Sequence, residues 1–304
     1  MIRRFSIVGE KIVEGVCDSN CVYFYIDPDD VEKKELTDQY KIDEHTLNSS
    51  LDPDELSRLE FEPDHLAIIL KRPENYIDKS QLLLKVSSMG MFLFSDKLII
   101  VLPEDVPMME NKLFSRIASL QDVLLKLINR SIFHFFAHLK AINMISDELE
   151  GKINLAMENR YLINLFTLEK SLVYYLNSIH SNGVLLDRLK NNAMKIGLRP
   201  ADIEFLDDII IDNNQCYRQA EIYSNILASL MDARASIVGN NLNVLMKTLN
   251  IITIGIMVPT FVVSAFSMNV HIPLQEHPYA FWIIMSFALV SVLGFMFFWR
   301  KKKW

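Results

Sequence analysis

Residues 248–269, TLNIITIGIMVPTFVVSAFSMN, contain no charged side chain over a length that crosses a membrane when helical. The hydrocarbon core of a bilayer requires about 20 apolar residues in helical form. A second uncharged run covers residues 279–299, and residues 300–304 form a basic tail behind it. The sequence therefore predicts two transmembrane helices joined by an extracytoplasmic loop at residues 268–278.

Basic residues set the expected orientation of these two helices. Arg300 and the three lysines after it directly follow the second run, and the positive-inside rule places them in the cytosol. The first residues lack the apolar core of a signal peptide, and two spans return the chain to its starting side. We therefore expect a multi-pass protein of the inner (plasma) membrane with both termini in the cytosol.

The residues before the first span predict a cytosolic α/β domain followed by helices. Residues 1–106 hold short β-like runs and two short helices, and Ser95-Asp96 predicts the turn of a hairpin. Residues 107–200 predict a helical pair, with a first helix at 108–150, a second at 153–179 and a break at SNG, 181–183. The β-like runs are residues 11–16, 22–27, 65–71, 82–94 and 97–102.

Residues 201–267 predict one stalk helix that continues into the first span. Nothing obvious stops a helix between Asp202 and Ser267, which at about 1.5 Å per residue gives a length of about 100 Å. A helix of that length is not stable alone, so we expect a bundle or a homo-oligomer.

One face of the first span carries nearly all of its polar side chains. Steps of three and four residues define this polar stripe, and Thr248 alone among the polar residues of the span lies off it. Such a seam is typical of helix packing in lipid, or of a water-filled pore formed by several copies. The large side chains at Asn243, Met246 and Met257 favour the pore. The polar stripe comprises Asn243, Met246, Asn250, Thr253, Met257, Thr260, Ser264 and Ser267.

The chemistry of the stripe restricts the class of protein. It holds no carboxylate, so its oxygens would contact an ion such as Mg²⁺ through the waters that this ion gives up reluctantly. Met246 and Met257, with Leu249 nearby, could form apolar constrictions that gate by dewetting. The chain lacks a phosphate-binding loop and a Ser/His/Asp signature, which argues against a pump or an enzyme. Its net charge of −7 argues against a nucleic-acid partner.

Two further sets of residues are of types that bind metals. His134 and His138 are four residues apart on a predicted helix, but the phenylalanines around them favour a structural role. The three cysteines, Cys17, Cys21 and Cys216, predict no disulfide framework in a cytosolic domain.

Several segments together resemble the CorA family of divalent metal-ion (Mg²⁺/Co²⁺) transporters. The family signature is Gly-Met-Asn at the outer end of the first span, where this chain has Ser267-Met268-Asn269. The resemblance implies a funnel-shaped homopentamer in the lipid bilayer, with the first spans lining a central pore. The segments are YIDP (25–28), DELE (147–150), NNLNVLMKTLNIITI (240–254), MVPTF (257–261) and SMN (267–269).

The resemblance also implies roles for individual residues. Asn269, with Ser267 and Met268, would form the selectivity site at the pore mouth. Asn243, Met246, Leu249 and Met257 would line and gate the pore, and the stripe adds Asn250, Thr253, Thr260 and Ser264. Apart from the resemblance, Glu276 in the outer loop is a candidate for attracting cations, and solvation of the loop explains it equally well.

Two departures from the family pattern affect these expectations. Ser267 replaces the glycine of the signature and adds a hydroxyl at the mouth. Asn48-Ser49-Ser50 stand where relatives often carry acidic residues of a regulatory metal site between subunits. Asp207 and Asp208 on the stalk helix remain candidates for the opposing side of that site.

Three functions stay open from the sequence. The first is Mg²⁺ uptake, and possible Co²⁺ or Ni²⁺ uptake, through a channel-like pore driven by the membrane potential, with Mg²⁺ as cargo and regulator and no organic cofactor. The second is a Zn²⁺ transporter of the same fold, with or without proton coupling. The third is a non-conducting, membrane-anchored metal sensor or scaffold.

Overall fold

The computed structural model describes residues 1–15, 20–74, 83–106, 114, 116–155, 159–270 and 277–301. The chain divides into two compact units, Met1–Met231 and Asp232–Trp304. The first unit contains a β-sheet with helices on both faces, and the second contains the two apolar helices. The predicted combination of an N-terminal α/β domain, a long helix and two C-terminal apolar helices is confirmed.

The sheet of the first unit has seven strands in the described residues. Its spatial order is β2-β1-β3-β7-β6-β5-β4. All neighbours are antiparallel except β3 and β7, which are parallel. The predicted hairpin joins β6 and β7, closed by the Phe94 amide donating to the Lys97 carbonyl at 2.9 Å. The strands are β1 Ile2–Val8, β2 Lys11–Glu14, β3 Cys21–Ile26, β4 Arg58–Phe61, β5 Leu66–Pro73, β6 Val86–Leu93 and β7 Lys97–Leu102.

Alternation along the central strands produces two apolar layers. On β7, Ile99 and Val101 lie in one cluster with Leu36 and Leu47 of the short helices α1 (Asp30–Asp38) and α2 (Glu44–Leu51). The neighbouring positions of β7 lie in the larger cluster with residues of the long helices. Because successive strand residues point to opposite faces, the unit is a three-layer α/β/α arrangement.

The two short helices begin at aspartate caps. The Asp29 carboxylate accepts hydrogen bonds from the amides of Val31 and Glu32, and the Glu32 carboxylate accepts one from the Asp29 amide. These reciprocal bonds form a capping box. Asp43 accepts from the Thr46 amide at the start of α2. Both helices predicted in this region are therefore confirmed.

The long helices differ from the sequence prediction at two places. The helix α3 is Leu120–Leu155, so it begins well after residue 108, and residues 107–113 lie outside the described residues. The helix α4 is Asn159–Asn191 and continues through the break expected at 181–183. A Cβ at Gly183 would lie 3.1 Å from the Asn213 side-chain nitrogen, so this glycine permits close helix packing rather than a turn.

The last three helices are α5 Ala193–Ile196, α6 Pro200–Ala265 and α7 Ala280–Lys301. The helix α6 has 66 residues and begins at Pro200, one residue before the predicted start of the stalk helix. It ends two residues before Ser267. Part of α6 and the whole of α7 are long and apolar enough to cross a membrane.

The cysteines differ from the sequence prediction in one respect. Cys21 is disulfide-bonded, whereas Cys216 is a buried free thiol. Burial, with the nearby charge of Asp212, raises the pKa of the Cys216 thiol to about 12. The prediction rested on the reducing cytosol, which governs redox state but not whether two sulfurs lie within bonding distance.

Candidate functional site

The helix α7 covers one face of α6 within the second unit. A Cβ at Gly255 would lie 3.5 Å from the ring of Phe295, and the rings of Phe266 and Phe287 stack with centroids 6.3 Å apart. The half-buried residues of this part of α6 recur at spacings of mostly three and four, as expected for one helical face. These residues are Ile251, Gly255, Val258, Pro259 and Val262, and Phe266 continues the series directly after α6.

The polar stripe lies on the opposite face of α6. With 3.6 residues per turn, the centres of the two faces are about 180° apart around the helix axis. Every stripe residue is exposed, including Met246 and Met257, and so is Leu249 at its edge. No described residue of the chain's own second helix therefore buries the stripe, which is available to water or to another copy.

Hydroxyl groups in this region direct their protons into the helix backbone. Thr253 donates to the Leu249 carbonyl at 2.9 Å, and Thr260 donates to the Ile256 carbonyl at 2.7 Å. Because a hydroxyl has one proton and two lone pairs, each of these oxygens presents only acceptor sites outward. The outward lone pairs of these two threonines suit the water protons around a hydrated cation.

The predicted pore mouth lies just beyond the end of α6. The Ser267 amide donates to the Ser264 carbonyl at 3.1 Å, and the Ser267 hydroxyl donates to the same carbonyl at 2.9 Å. This three-residue spacing tightens the chain after the last α-helical turn, so the helix ends at Ala265 instead of continuing through Ser267. Met268 and Asn269 follow in exposed positions.

The acidic candidates of the stalk are not brought together with further ligands. Lys190 forms an ion pair with Asp207 at 2.8 Å. Asp208 lies one turn before Asp212, whose pKa is raised by burial first and by the Asp208 charge second. Among the described residues no group of three His, Cys, Asp or Glu side chains could hold a metal ion. A metal role for Asp207 and Asp208 stays a prediction.

Two other positions from the sequence analysis are the serines at 49 and 50 and Glu276. Ser49 and Ser50 are buried in α2, where the Ser50 hydroxyl donates to the Leu47 carbonyl at 2.6 Å. These serines therefore pack the helix onto the sheet and do not form an exposed ligand surface. Glu276 lies outside the described residues.

The two histidines of α3 have a structural environment. His138 Nδ1 lies 2.6 Å from the Tyr175 hydroxyl, and the His134 and His138 rings are 4.4 Å apart. Burial lowers the pKa of both imidazoles to about 4, so both are neutral at physiological pH. The prediction of a structural role is consistent with these contacts.

Sequence reasoning missed a cavity between the two apolar helices. A cavity of about 280 Å³ lies between α6 and α7, and its lining includes Lys247 and Trp299. The available signal was the position of these residues, since lysine and tryptophan at the ends of a span mark the membrane–water interface.

Comparison with known proteins shows which family this chain resembles. A family profile described as CorA-like Mg²⁺ transporter protein matches residues 21–302. The Cobalt/magnesium transport protein CorA of Methanocaldococcus jannaschii is 26% identical over 288 residues, covering 91% of this chain and 89% of the relative. The protein of the same name from Thermotoga maritima is 23% identical over 183 residues, covering 60% of this chain and 52% of the relative.

The fold agrees with a solved structure along the whole chain. The structure described as the complete CorA magnesium transporter from Methanocaldococcus jannaschii matches with a TM-score of 0.87 at 24% identity, covering 100% of this chain and 98% of that chain. A sheet domain, a long helix and two apolar helices thus define a membrane protein of the ion-transporter class. The chain belongs to the family of CorA-like Mg²⁺ transporter proteins, whose members are ion transporters and not enzymes.

Proposed function

We propose that the chain forms a channel-like pore for Mg²⁺, lined by the polar stripe of α6. The observation that carries the proposal is the placement of an uncharged polar face opposite the face covered by α7. Thr253 and Thr260 direct their protons inward and their lone pairs outward. A surface of this kind can contact the water shell of a divalent cation without trapping the ion, because it holds no carboxylate.

Assembly is required for such a pore. Two helices cannot enclose a channel, and the stripe remains exposed in the single chain. Several copies arranged with their stripes inward would leave each α7 on the lipid side. The resemblance to the family favours a homopentamer in the shape of a funnel.

The ends of the pore would have separate roles. Asn269, with Ser267 and Met268, would receive the hydrated ion at the mouth. Met246, Leu249 and Met257 would supply the apolar constrictions, and Glu276 would raise the local cation concentration outside. Inward movement of a divalent cation across 100 mV releases about 4.6 kcal/mol, from about 2.3 kcal/mol per charge, so no other energy source is needed.

The remaining segments complete the arrangement in an inner (plasma) membrane. Residues 1–106 and 107–200 would lie in the cytosol with the stalk, and residues 268–278 would form the outer loop. Asp207 and Asp208 would contribute to a cytosolic Mg²⁺ sensor between subunits. The basic tail at 300–304 would hold the C-terminus in the cytosol.

Ion flux into liposomes tests the proposal directly. The purified full-length protein is reconstituted, the interior is made negative without a proton gradient, and Mg²⁺ and Zn²⁺ are offered separately. We expect voltage-driven Mg²⁺ entry. Zn²⁺ entry only after a pH gradient is added would favour the carrier instead, and no flux from a folded oligomer would favour the sensor.

A mouth variant tests the assigned site in the same assay. Asn269→Ala should abolish Mg²⁺ flux while the oligomer remains intact by size-exclusion chromatography. The matched control is Asn241→Ala, which removes an amide from α6 away from the stripe. Equal flux through the Asn269 variant and the wild type would exclude the mouth role.

A further inference from the structure

The cavity between α6 and α7 has apolar walls within the membrane-spanning segments. Ile251 and Ile254 line it from α6, and Phe295 and Phe298 line it from α7. Its volume of about 280 Å³ lies near the lower limit of ligand pockets, which is about 300 Å³. Because these wall residues are apolar, the cavity is suited to a hydrocarbon chain.

The surface of the cavity is almost wholly apolar, and a basic and an amide residue stand at one end of it. Lys247 and Asn250 line it from the start of the first span, and Trp299 lines it from the end of the second. Arg300 and Lys301 follow directly on α7 and are exposed. Both helices therefore place cationic side chains at the same membrane boundary, where tryptophan and lysine meet the lipid headgroups.

We propose that this cavity binds an anionic phospholipid, with one acyl chain between α6 and α7 and the phosphate at Lys247. Basic pockets between transmembrane helices at the cytoplasmic side are suited to acidic headgroups. The apolar walls supply the second requirement, since a free phosphate ion would gain nothing from Phe295 or Ile254. The inference rests on the two helices crossing a membrane and is independent of the proposed conduction.

The site adjoins the proposed pore surface. Asn250 belongs to the polar stripe and also lines the cavity. A lipid bound there would contact the turn of α6 that carries Asn250.

Native mass spectrometry of the full-length protein in detergent measures the binding. Phosphatidylglycerol and phosphatidylcholine with identical acyl chains are titrated, and the dissociation constant of the first bound lipid is compared. We expect tighter binding of phosphatidylglycerol. Lys247→Gln should weaken that binding by about fivefold, whereas the control Arg300→Gln, which removes an equal charge outside the cavity, should weaken it by less than about twofold.

A second pair of variants tests the acyl-chain portion. Ile254→Phe should fill the cavity and weaken both lipids, whereas Ile252→Phe, an exposed position that does not line the cavity, should leave both unchanged. Equal losses in the Lys247 and Arg300 variants would show only surface electrostatics and overturn the site. Wild-type binding by the Ile254 variant, as expected if a second copy fills the cavity, would overturn it as well.

Discussion

Replacing Gly90 by alanine tests how closely α2 packs on the sheet. Gly90 lies on β6 beneath α2, and a Cβ there would be 2.5 Å from the Ser50 Cβ and 2.9 Å from its hydroxyl oxygen. Non-bonded carbon atoms normally approach to about 3.5–4.0 Å. Because the nearer Ser50 atom is fixed to the helix backbone, no side-chain rotation removes the clash, and α2 must move.

The expected magnitude follows from two opposing contributions. Glycine to alanine in an open strand stabilises by about 0.5–1 kcal/mol, whereas overpacking of a dense core costs about 1–3 kcal/mol. We expect Gly90→Ala to destabilise the first unit by about 1–2 kcal/mol. Ser50→Gly alone should also destabilise it, by about 1–1.5 kcal/mol, because it loses the bond to Leu47 and helix propensity.

The double variant separates the clash from these other effects. Ser50→Gly removes the two closest atoms and leaves the Phe92 ring at 3.1 Å. The pair should therefore be more stable than the sum of the single changes by about 1–3 kcal/mol. Hydrogen exchange of the full-length protein, measured at the amides of β6 and β7, reports the loss of stability of the first unit. Each 1.4 kcal/mol of destabilisation should make exchange about tenfold faster. Slower exchange in the Gly90 variant, or strict additivity in the pair, would refute the reasoning.

Three other predictions address the stripe, the core and pH. Thr260→Val should reduce Mg²⁺ flux by severalfold because it removes an outward oxygen from the stripe. The control is Thr248→Val, which loses the same kind of hydroxyl-to-backbone hydrogen bond at a position off the stripe and should leave the flux unchanged. Equal effects of the two changes would contradict the assignment of faces. Asn182→Ala should destabilise the first unit by about 2–4 kcal/mol, since its buried amide bonds the backbone of β5, whereas the exposed Asn191→Ala should change it little in thermal unfolding. Burial lowers the pKa of His138 to about 4 in the folded chain, so the unfolded chain binds more protons between about pH 6.5 and pH 4. The free energy of unfolding should therefore fall by up to about 1.4 kcal/mol per pH unit as the pH decreases through that window. His138→Gln should reduce this slope, and an unchanged slope would argue against a buried neutral imidazole.

Local sequence rules worked where neighbouring residues alone determine structure. The hairpin at Ser95-Asp96 was predictable because a polar turn joins two apolar runs. The strands β1 and β4 were missed because IRRFSIV and RLEF carry charged residues and lack a clear apolar alternation. Their strand state depends on pairing with neighbouring strands, β1 with β2 and β3 and β4 with β5, and not on their own apolar pattern.

Tertiary packing explains the other differences. Ser50 faces Gly90 of β6, and Gly183 faces Asn213 of α6. Neither contact is visible in a linear sequence. Periodicity did predict the stripe as a face of α6. Periodicity could not show that α7 lies on the opposite side, because that placement depends on the packing between two apolar helices of similar composition.

The chemistry of the stripe has a consequence for acid conditions. Its side chains are amides, thioethers and hydroxyls, and none of these changes charge between about pH 4 and pH 10. A conduction path of this composition would keep the same barrier in an acidified cell. Any pH response of transport would therefore have to originate outside the stripe, and His134 and His138 in the first unit are groups that titrate on the acid side.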